Sequence, residues 1–426
     1  MDNLPYEVLA SVLDQLHVIE KLQLQTVCSR WRDVLSDLLK MQSCLGVENP
    51  SATSQTRTMR KCIGNAKRHR IRHQDVIMAS TDGGKLTRMI HGIFKHCPNL
   101  RVISIATLED NSFDLESCVE KIADLYGSHL QCLSCRDFAF NQPTLIRKFQ
   151  ALVHLDSFAI STTALMSLIE SCPQIEGIDC DEIEDRGTAL IQLPAGFKWL
   201  KVGSDDIDVL SLFSSPASKT IEMLSVSTNQ KLLDLDFNLP CLRRITFEGT
   251  VDVRSFLKSL KRSVLLEEAN LRLALEFDES QPNPPYAWSS FFGCVKDLQV
   301  LSILSITTSH EIVESLISHC PRLTKLRLAH STLTDKSLEV LSRLSRLELL
   351  DIEFPVYPVH SFTETGLLQF LNGKSRESFR MLNIQSTDEM VTDKVKETIL
   401  VLKTSFLLRN VCLLDQKAGV RRRFEI

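Results

Sequence analysis

From Leu100 onward the chain repeats one short register: an apolar residue, two variable residues, an apolar residue, one variable residue, then another apolar one. Clear copies run Leu100…Ile103…Ile105, Ile175…Ile178…Cys180, Leu242…Ile245…Phe247, Leu298…Leu301…Ile303, Leu323…Leu326…Leu328 and Leu347…Leu350…Ile352. Weaker copies start at Leu130, Leu152, Phe197, Ile221, Leu266, Phe379 and Leu408, which makes about thirteen registers spaced 21 to 32 residues apart. A unit that short holds one strand and one helix, and neither can bury its apolar side alone. The register therefore demands stacking, with the strands lined up as a parallel sheet inside an arc and the helices outside it. Between registers the apolar spacing is helical. Leu86, Met89, Ile90, Ile93, Phe94 and Cys97 form one face, as do Ile312, Val313, Leu316, Ile317 and Cys320. Cys97, Cys172 and Cys320 each precede a proline, a helix stop at an equivalent place in three repeats. The proline-rich Gln281–Pro285 reads as an insertion.

Bulk properties exclude several classes of function. A formal net charge of −4 argues against nucleic acid as the partner. No segment approaches the 18 or so apolar residues that a membrane span needs, and no basic-then-apolar leader opens the chain. Thirteen cysteines, an odd number, and no allowed Asn-X-Ser/Thr acceptor fit a reducing cytoplasmic or nuclear compartment. Cys132 and Cys135 would point to opposite faces of a strand, with no second pair to complete a zinc site. Gly83-Gly84-Lys85 lacks the spacing of a phosphate-binding loop and reads as a turn. No nucleophile–base pair emerges, so neither catalytic residues nor a cofactor is expected.

Residues 1–45 follow other rules. Val8, Leu9, Val12, Leu13 and Leu16 form one helical stripe, with Asn3 available as a cap and Pro5 near the start. A second helix fits Ile19–Cys28, and Ser29 can cap a third that carries Trp31, Val34, Leu35, Leu38 and Leu39. Three short helices make a core too small to be comfortable alone. Asn3-Leu4-Pro5-Tyr6-Glu7-Val8-Leu9, then Leu13 and Leu16, then Val27-Cys28-Ser29-Arg30-Trp31-Arg32, resembles the F-box motif. Glu20-Lys21-Leu22 departs from it, since the family often has an aspartate before the leucine. The segments His91–Ile105 and Ser318–Ile352 resemble the cysteine-containing leucine-rich repeats common in F-box proteins, and Leu333–Leu338 matches their strand-to-helix turn.

That resemblance implies docking onto a Skp-type adaptor and, through it, onto cullin and RING subunits. It assigns adaptor contact to Leu4, Pro5, Val8, Leu9, Leu13, Leu16 and Trp31, although these apolar residues can equally serve as internal core. The domain reading is an F-box at 1–45, a basic linker or entry segment at 46–75, a leucine-rich-repeat solenoid at 76–414 and a basic tail at 415–426. The solenoid would capture an unknown protein substrate for ubiquitination; the alternative is a repeat scaffold or inhibitor that binds its partner without it. Candidate substrate contacts are the acidic Asp179, Asp181, Glu182, Asp205 and Asp206, on what read as neighbouring loops, and Arg244, Arg272 and Arg327 at variable strand positions. Arg60, Lys61, Lys67, Arg68, Arg70 and Arg72 form a basic run that reads as a solvated linker or a nuclear address.

Overall fold

Each register resolves into a strand that starts two residues after its first apolar position. The computed structural model describes residues 5–16, 18–42, 44–48, 74–78, 83–105, 114–184, 192–203, 215–232, 236–274, 285–304, 308–329, 333–353, 362–373, 379–386, 397, 410–415 and 422–425. The chain divides into two units, Met1–Gly203 and Ser204–Ile426. In the first, strands β1 (Cys44–Glu48), β2 (Gln74–Met78), β3 (Val102–Ile105), β4 (Cys132–Phe140), β5 (His154–Ser161), β6 (Gly177–Glu184) and β7 (Trp199–Gly203) form a parallel sheet in the order β7-β6-β5-β4-β3-β1-β2. In the second, β8 (Met223–Leu232), β9 (Arg244–Val251), β10 (Glu268–Ala274), β11 (Val300–Leu304), β12 (Lys325–Ala329), β13 (Leu349–Glu353), β14 (Met381–Ser386) and β15 (Asn410–Asp415) pair in parallel in chain order. There β16 (Arg422–Glu425) turns antiparallel against β15, covering an edge that would otherwise leave its backbone groups open to another strand.

The architecture is thus an α/β strand–helix solenoid preceded by a helical module. Apolar rows run across the strands in register. In the first unit one row is Leu45, Ile103, Leu133, Leu155, Ile178 and Leu200; in the second it is Ile245, Ala269, Leu301, Leu326, Leu350 and Leu382, all buried. Each large member contributes roughly 1.5–3 kcal/mol by leaving water. The helices cover this face: Ile90, Ile93 and Phe94 of α4 (Gly83–His96), for example, are buried. Gly83-Gly84-Lys85 therefore forms the first turn of a helix rather than a loop turn. The apolar stripe that follows outweighs the low helix propensity of two glycines.

The position three residues before each strand's leading leucine has a job of its own. Cys172 Sγ donates to the carbonyl of Phe149, the same position one repeat earlier, at 3.1 Å. Ser263 Oγ donates likewise to Leu239 O at 3.0 Å, and Cys320 Sγ to Val295 O at 3.7 Å. Gly127 holds this place in its own repeat and has no side chain to offer. Its neighbour Tyr126 reaches back instead and donates to Cys97 O at 3.0 Å. A side chain at 127 would strike the carbonyls of Lys148 and Ala123. These buried bonds tie the turn ahead of each strand to the same turn one repeat earlier, where Leu239 O and Val295 O also accept from Leu242 N and Leu298 N at 3.1 Å. Helices also cap one another: the Asp335 carboxylate accepts from Thr363 N at 2.6 Å and Thr363 Oγ1 at 2.8 Å, at the entry to the helix Glu364–Gly373 of the next repeat.

The N-terminal module contains α1 (Tyr6–Asp14), α2 (Val18–Leu24) and α3 (Ser29–Met41). Asn3 lies outside the described residues, and Pro5 stands at the N-cap of α1. Cys28 rather than Ser29 caps α3, its Sγ accepting from Trp31 N at 3.5 Å. The module is joined to the first repeat, since α2 and α3 both contact α4 and Asn99 Nδ2 donates to Lys40 O at 2.7 Å. The basic run Arg60–Arg72 lies outside the described residues.

Two substitutions in the second unit test the ladder. Leu326→Asp should lower its thermal midpoint by many degrees, because an unpaired carboxylate would replace a fully buried leucine. Ser263→Ala should cost about 0.5–1.5 kcal/mol by removing the buried Oγ donor to Leu239 O, which keeps its backbone bond from Leu242 N at 3.1 Å; denaturant unfolding checks both.

Candidate functional site

Two surfaces hold the residues singled out by sequence, and they are built differently. On the N-terminal module, α1 turns Leu9 and Leu13 inward onto Val34 and Leu35 of α3, with Leu16, Leu24, Trp31 and Leu38 packed around them. Leu9 and Leu13 are therefore the module's own core. The same helix presents Val8, 45% exposed, and Val12 on another face, while Tyr6 is exposed on the side of α3 and Val27 is bare on the loop before it. Pro5 is exposed as well. Leu4 lies outside the described residues. Tyr6 is held in place by its hydroxyl, which donates to Asp37 Oδ2 at 2.7 Å, and Asp37 also accepts from Lys40 at 3.2 Å. That carboxyl sits below its ordinary value because of the Tyr6 and Lys40 hydrogen bonds. Lys21, the residue that departs from the motif, is 1% exposed and lies 3.5 Å from Asp14. Its placement pins α2 to the end of α1 through a pairing that shuts out water on one side.

The second surface is the face of the first unit's sheet that points away from the helices. Side chains alternate along a strand, so the residues between the buried rows share this face. One lateral row is Ser104, Ser134, Asp156, Asp179 and Lys201, contributed by five successive strands. Asp156 is 1% exposed yet carries a carboxylate. Ser134 Oγ donates to its Oδ2 at 2.8 Å and Arg136 Nε at 3.1 Å. Arg136 also reaches Asp179 at 3.7 Å. Lys201 Nζ then bridges Asp179 at 2.8 Å and Asp181 at 2.6 Å. Burial, with Asp179 alongside, raises the Asp156 carboxyl above its ordinary value, against the pull of Arg136 and Ser134. Burial works against the charge of Lys201, but Asp179 and Asp181 prevail and raise it.

A second row carries His154, Gly177 and Trp199. The indole of Trp199 lies over Gly177, where any Cβ would collide with it, and its Nε1 donates to His154 Nδ1 at 2.7 Å. Small backbone and large ring are thus one feature.

The acidic residues read as loop positions turn out to be strand positions as far as Glu184, because β6 runs Gly177–Glu184. Asp179 and Asp181 are brought together by Lys201, and Glu182 is exposed beside them. Asp205 and Asp206 lie outside the described residues. In the second unit Arg244, Arg272 and Arg327 face their cross-strand neighbours: Arg244 Nε is 3.8 Å from Glu268, Arg272 Nη1 is 2.9 Å from Glu248, and Arg327 Nε is 3.2 Å from Asp351. Each partner is also the residue in register on the adjacent strand. Such half-exposed pairs contribute little stability, and they leave a chequered, locally neutral face.

Sequence reasoning missed Arg136, Ser134, His154 and Phe158 on the first unit's sheet. Alternation through Asp156 places Phe158 outward, so that signal was available; the reach of Arg136 across two strands was not.

Among the described residues no group of three or more His, Cys, Asp or Glu stands together as a metal site, and no helix is long and apolar enough to cross a membrane. Burial pushes the Cys118 thiol up to about 11 and the Cys320 thiol to about 12, so neither is a thiolate nucleophile at neutral pH.

Comparison with known proteins gives two results and a blank. The F-box-like family profile matches residues 1–45. Similar solved structures include an internalin from Listeria monocytogenes, 11% identical, covering 66% of this chain and 74% of that one with a TM-score of 0.40. Another is TLR13 in complex with ssRNA13, 14% identical, covering 70% of this chain and 44% of that one with a TM-score of 0.42. This chain therefore spans less than half of the TLR13 chain. No curated protein matches.

The buried carboxylate gives a pH signature. A carboxyl held above its ordinary value stabilises the fold fully when protonated, below about pH 4, and that contribution is lost as pH rises through the folded value. Asp156→Asn removes this dependence. Relative to that variant, the wild type should lose thermal stability steadily between pH 4 and pH 7. A constant difference in melting temperature across that range would contradict the assignment.

Proposed function

We propose that the chain is the substrate-recognition subunit of an SCF-type ubiquitin ligase. The carrying observation is the exposed apolar face of α1, Val8 and Val12 with Pro5, on a module whose own core is four buried side chains. A module that small gains from a partner that covers this face, and the F-box-like match at residues 1–45 supports a Skp-type adaptor as that partner. Leu4, Pro5 and Val8 then contact the adaptor directly. Leu9 and Leu13 act from beneath by fixing α1, while Leu16 and Trp31 border the core and the contact.

The repeats take the protein substrate on the sheet face opposite the helices, where polar and charged residues vary from strand to strand. Candidates there are Asp179, Asp181 and Glu182 in the first unit and Arg244, Arg272 and Arg327 in the second; Asp205 and Asp206, outside the described residues, are candidates from the sequence alone. Cullin and RING subunits join through the adaptor. The bond-forming chemistry belongs to a conjugating enzyme, and this chain supplies proximity and orientation. The domain limits that go with this reading are 1–45, 46–75, 76–414 and 415–426, and the setting is the cytoplasm or nucleus.

Co-expression provides the test. The full chain should co-purify with a Skp-type adaptor, and Leu4→Ala with Pro5→Ala, or Val12→Glu alone, should abolish this. Truncating a central interface anchor costs about 2 kcal/mol or more. Circular dichroism of the variants separates lost contact from lost fold. If the folded wild type fails to bind the adaptor, the scaffold or inhibitor reading replaces this one.

A further inference from the structure

Among the described strand residues, Phe158 is the large apolar side chain left in water. It is 45% exposed near the middle of β5, between Asp156, buried to 1%, and Ala159, buried completely. Its position is constructed rather than accidental. On one side β4 breaks register between Cys135 and Ala139, so that Arg136, Asp137 and Phe138 together stand opposite Phe158. Bulges of this kind bend a strand and re-aim its side chains. On the other side β6 keeps register, pairing Ser157 with Cys180 and Ala159 with Glu182, which sets Asp181 beside Phe158.

The charges around it are arranged in a way that fits one kind of partner. Arg136 is drawn down onto Asp156 and Asp179, and Lys201 onto Asp179 and Asp181. Both cations are committed within the sheet. Three carboxylates, Asp156, Asp179 and Asp181, face two cations, and Asp181 and the next residue along the strand, Glu182, are exposed. An exposed ring next to exposed, under-neutralised carboxylates has the make-up of an interface centre, an aromatic anchor with a charged surround. The anchor requires an apolar side chain from the partner, and the charge excess requires a cation beside it.

We propose that Phe158, Asp181 and Glu182 form a docking surface for a protein segment in which an apolar side chain is flanked by arginine or lysine. This deepens the substrate-capture reading of the repeats by naming the class of segment captured. The apolar side chain lies on the Phe158 ring, and the basic group pairs with Asp181 and Glu182. Asp156 and Asp179 fix the arginine and lysine beneath them, so the face is preorganised before the partner arrives.

The test uses the full chain and a displayed library of random peptides. Selected peptides are then synthesised and titrated by fluorescence anisotropy against wild type, Phe158→Ser and Asp181→Lys with Glu182→Lys. Expected is a consensus with arginine or lysine next to a leucine or aromatic residue. Binding should weaken about tenfold or more in Phe158→Ser, as for an anchor residue, and in the charge-reversal pair. Peptides with glutamate in place of the basic residue should recover binding to the charge-reversed protein. Affinity of the parent peptide should fall as salt rises from low ionic strength to about 0.15 M, where the Debye length is about 8 Å. A consensus without basic residues, or equal binding to all variants, overturns the proposal. Glu182→Lys alone, at an exposed position, covers the case in which the other variants lose their fold. Adaptor co-purification is measured in parallel on the same proteins. Its failure with peptide binding intact would remove the ligase reading and leave this surface standing, while the reverse result would remove only the surface.

Discussion

The structure depends on one constraint: no single repeat can bury its own apolar face. A strand of four or five residues offers two inward side chains and leaves its backbone groups open on both edges. Lateral pairing solves both problems at once, because the hydrogen bonds that satisfy one strand align the leucines of the next. The row Ile245, Ala269, Leu301, Leu326, Leu350 and Leu382 is in this sense a single core distributed over six strands. The carbonyl-directed donors at Cys172, Ser263 and Cys320 repeat the logic at the helix ends. What each repeat needs is supplied by its neighbour, so stability is local and cumulative.

The same constraint shapes the other face of the sheet. With one side of the sheet fixed by packing, side chains on the other are free to vary, but at about 4.8 Å between strands they cannot ignore one another. Charges of like sign in adjacent strands repel unless a cation intervenes, and the first unit places Arg136 and Lys201 where Asp156 and Asp179 need them. The second unit reaches the same end more simply, with Arg244–Glu268, Arg272–Glu248 and Arg327–Asp351 as cross-strand neighbours. A substitution at one of these positions therefore changes a pair. The charge pattern offered to a partner is a property of several strands together.

Much of this was legible in the sequence, and the part that was not shares a cause. Periodicity reports which side of a strand or helix is buried, so the register starts and the stripes at Ile90, Ile93 and Phe94 or Ile312, Val313 and Leu316 follow from it directly. It does not report what lies one strand over. Asp179 and Asp181 read as an acidic loop because the residue that bridges them, Lys201, is 20 or more positions away in the chain. Periodicity does not mark Tyr126 as a donor either; that role follows only once Gly127 is seen to hold the donor's place. In the N-terminal module, pattern alone put Leu9 and Val8 in one class. Only the packing of α1 on α3 separates the leucine that holds the module together from the valine that faces out.

That separation has a consequence for how the two ends of the first unit work together. Val8 and Val12 face out from α1, while α2 and α3 touch α4, the helix of the first full repeat. Asn99 extends the same joint, bonding back to Lys40 from the turn that leads into β3. On the proposed ligase reading, a flexible tether would let a captured substrate wander relative to the adaptor and dilute the proximity on which transfer of a modifying group depends. The direct contacts of α2 and α3 with α4 instead place the module and the adjoining strands in one body. Lys21 contributes to that body from the module's side: buried and paired to Asp14, it fixes α2, the helix that touches α4. The departure from the family pattern at this position is thus a structural element of the module's packing, buried where Val8 and Val12 are exposed.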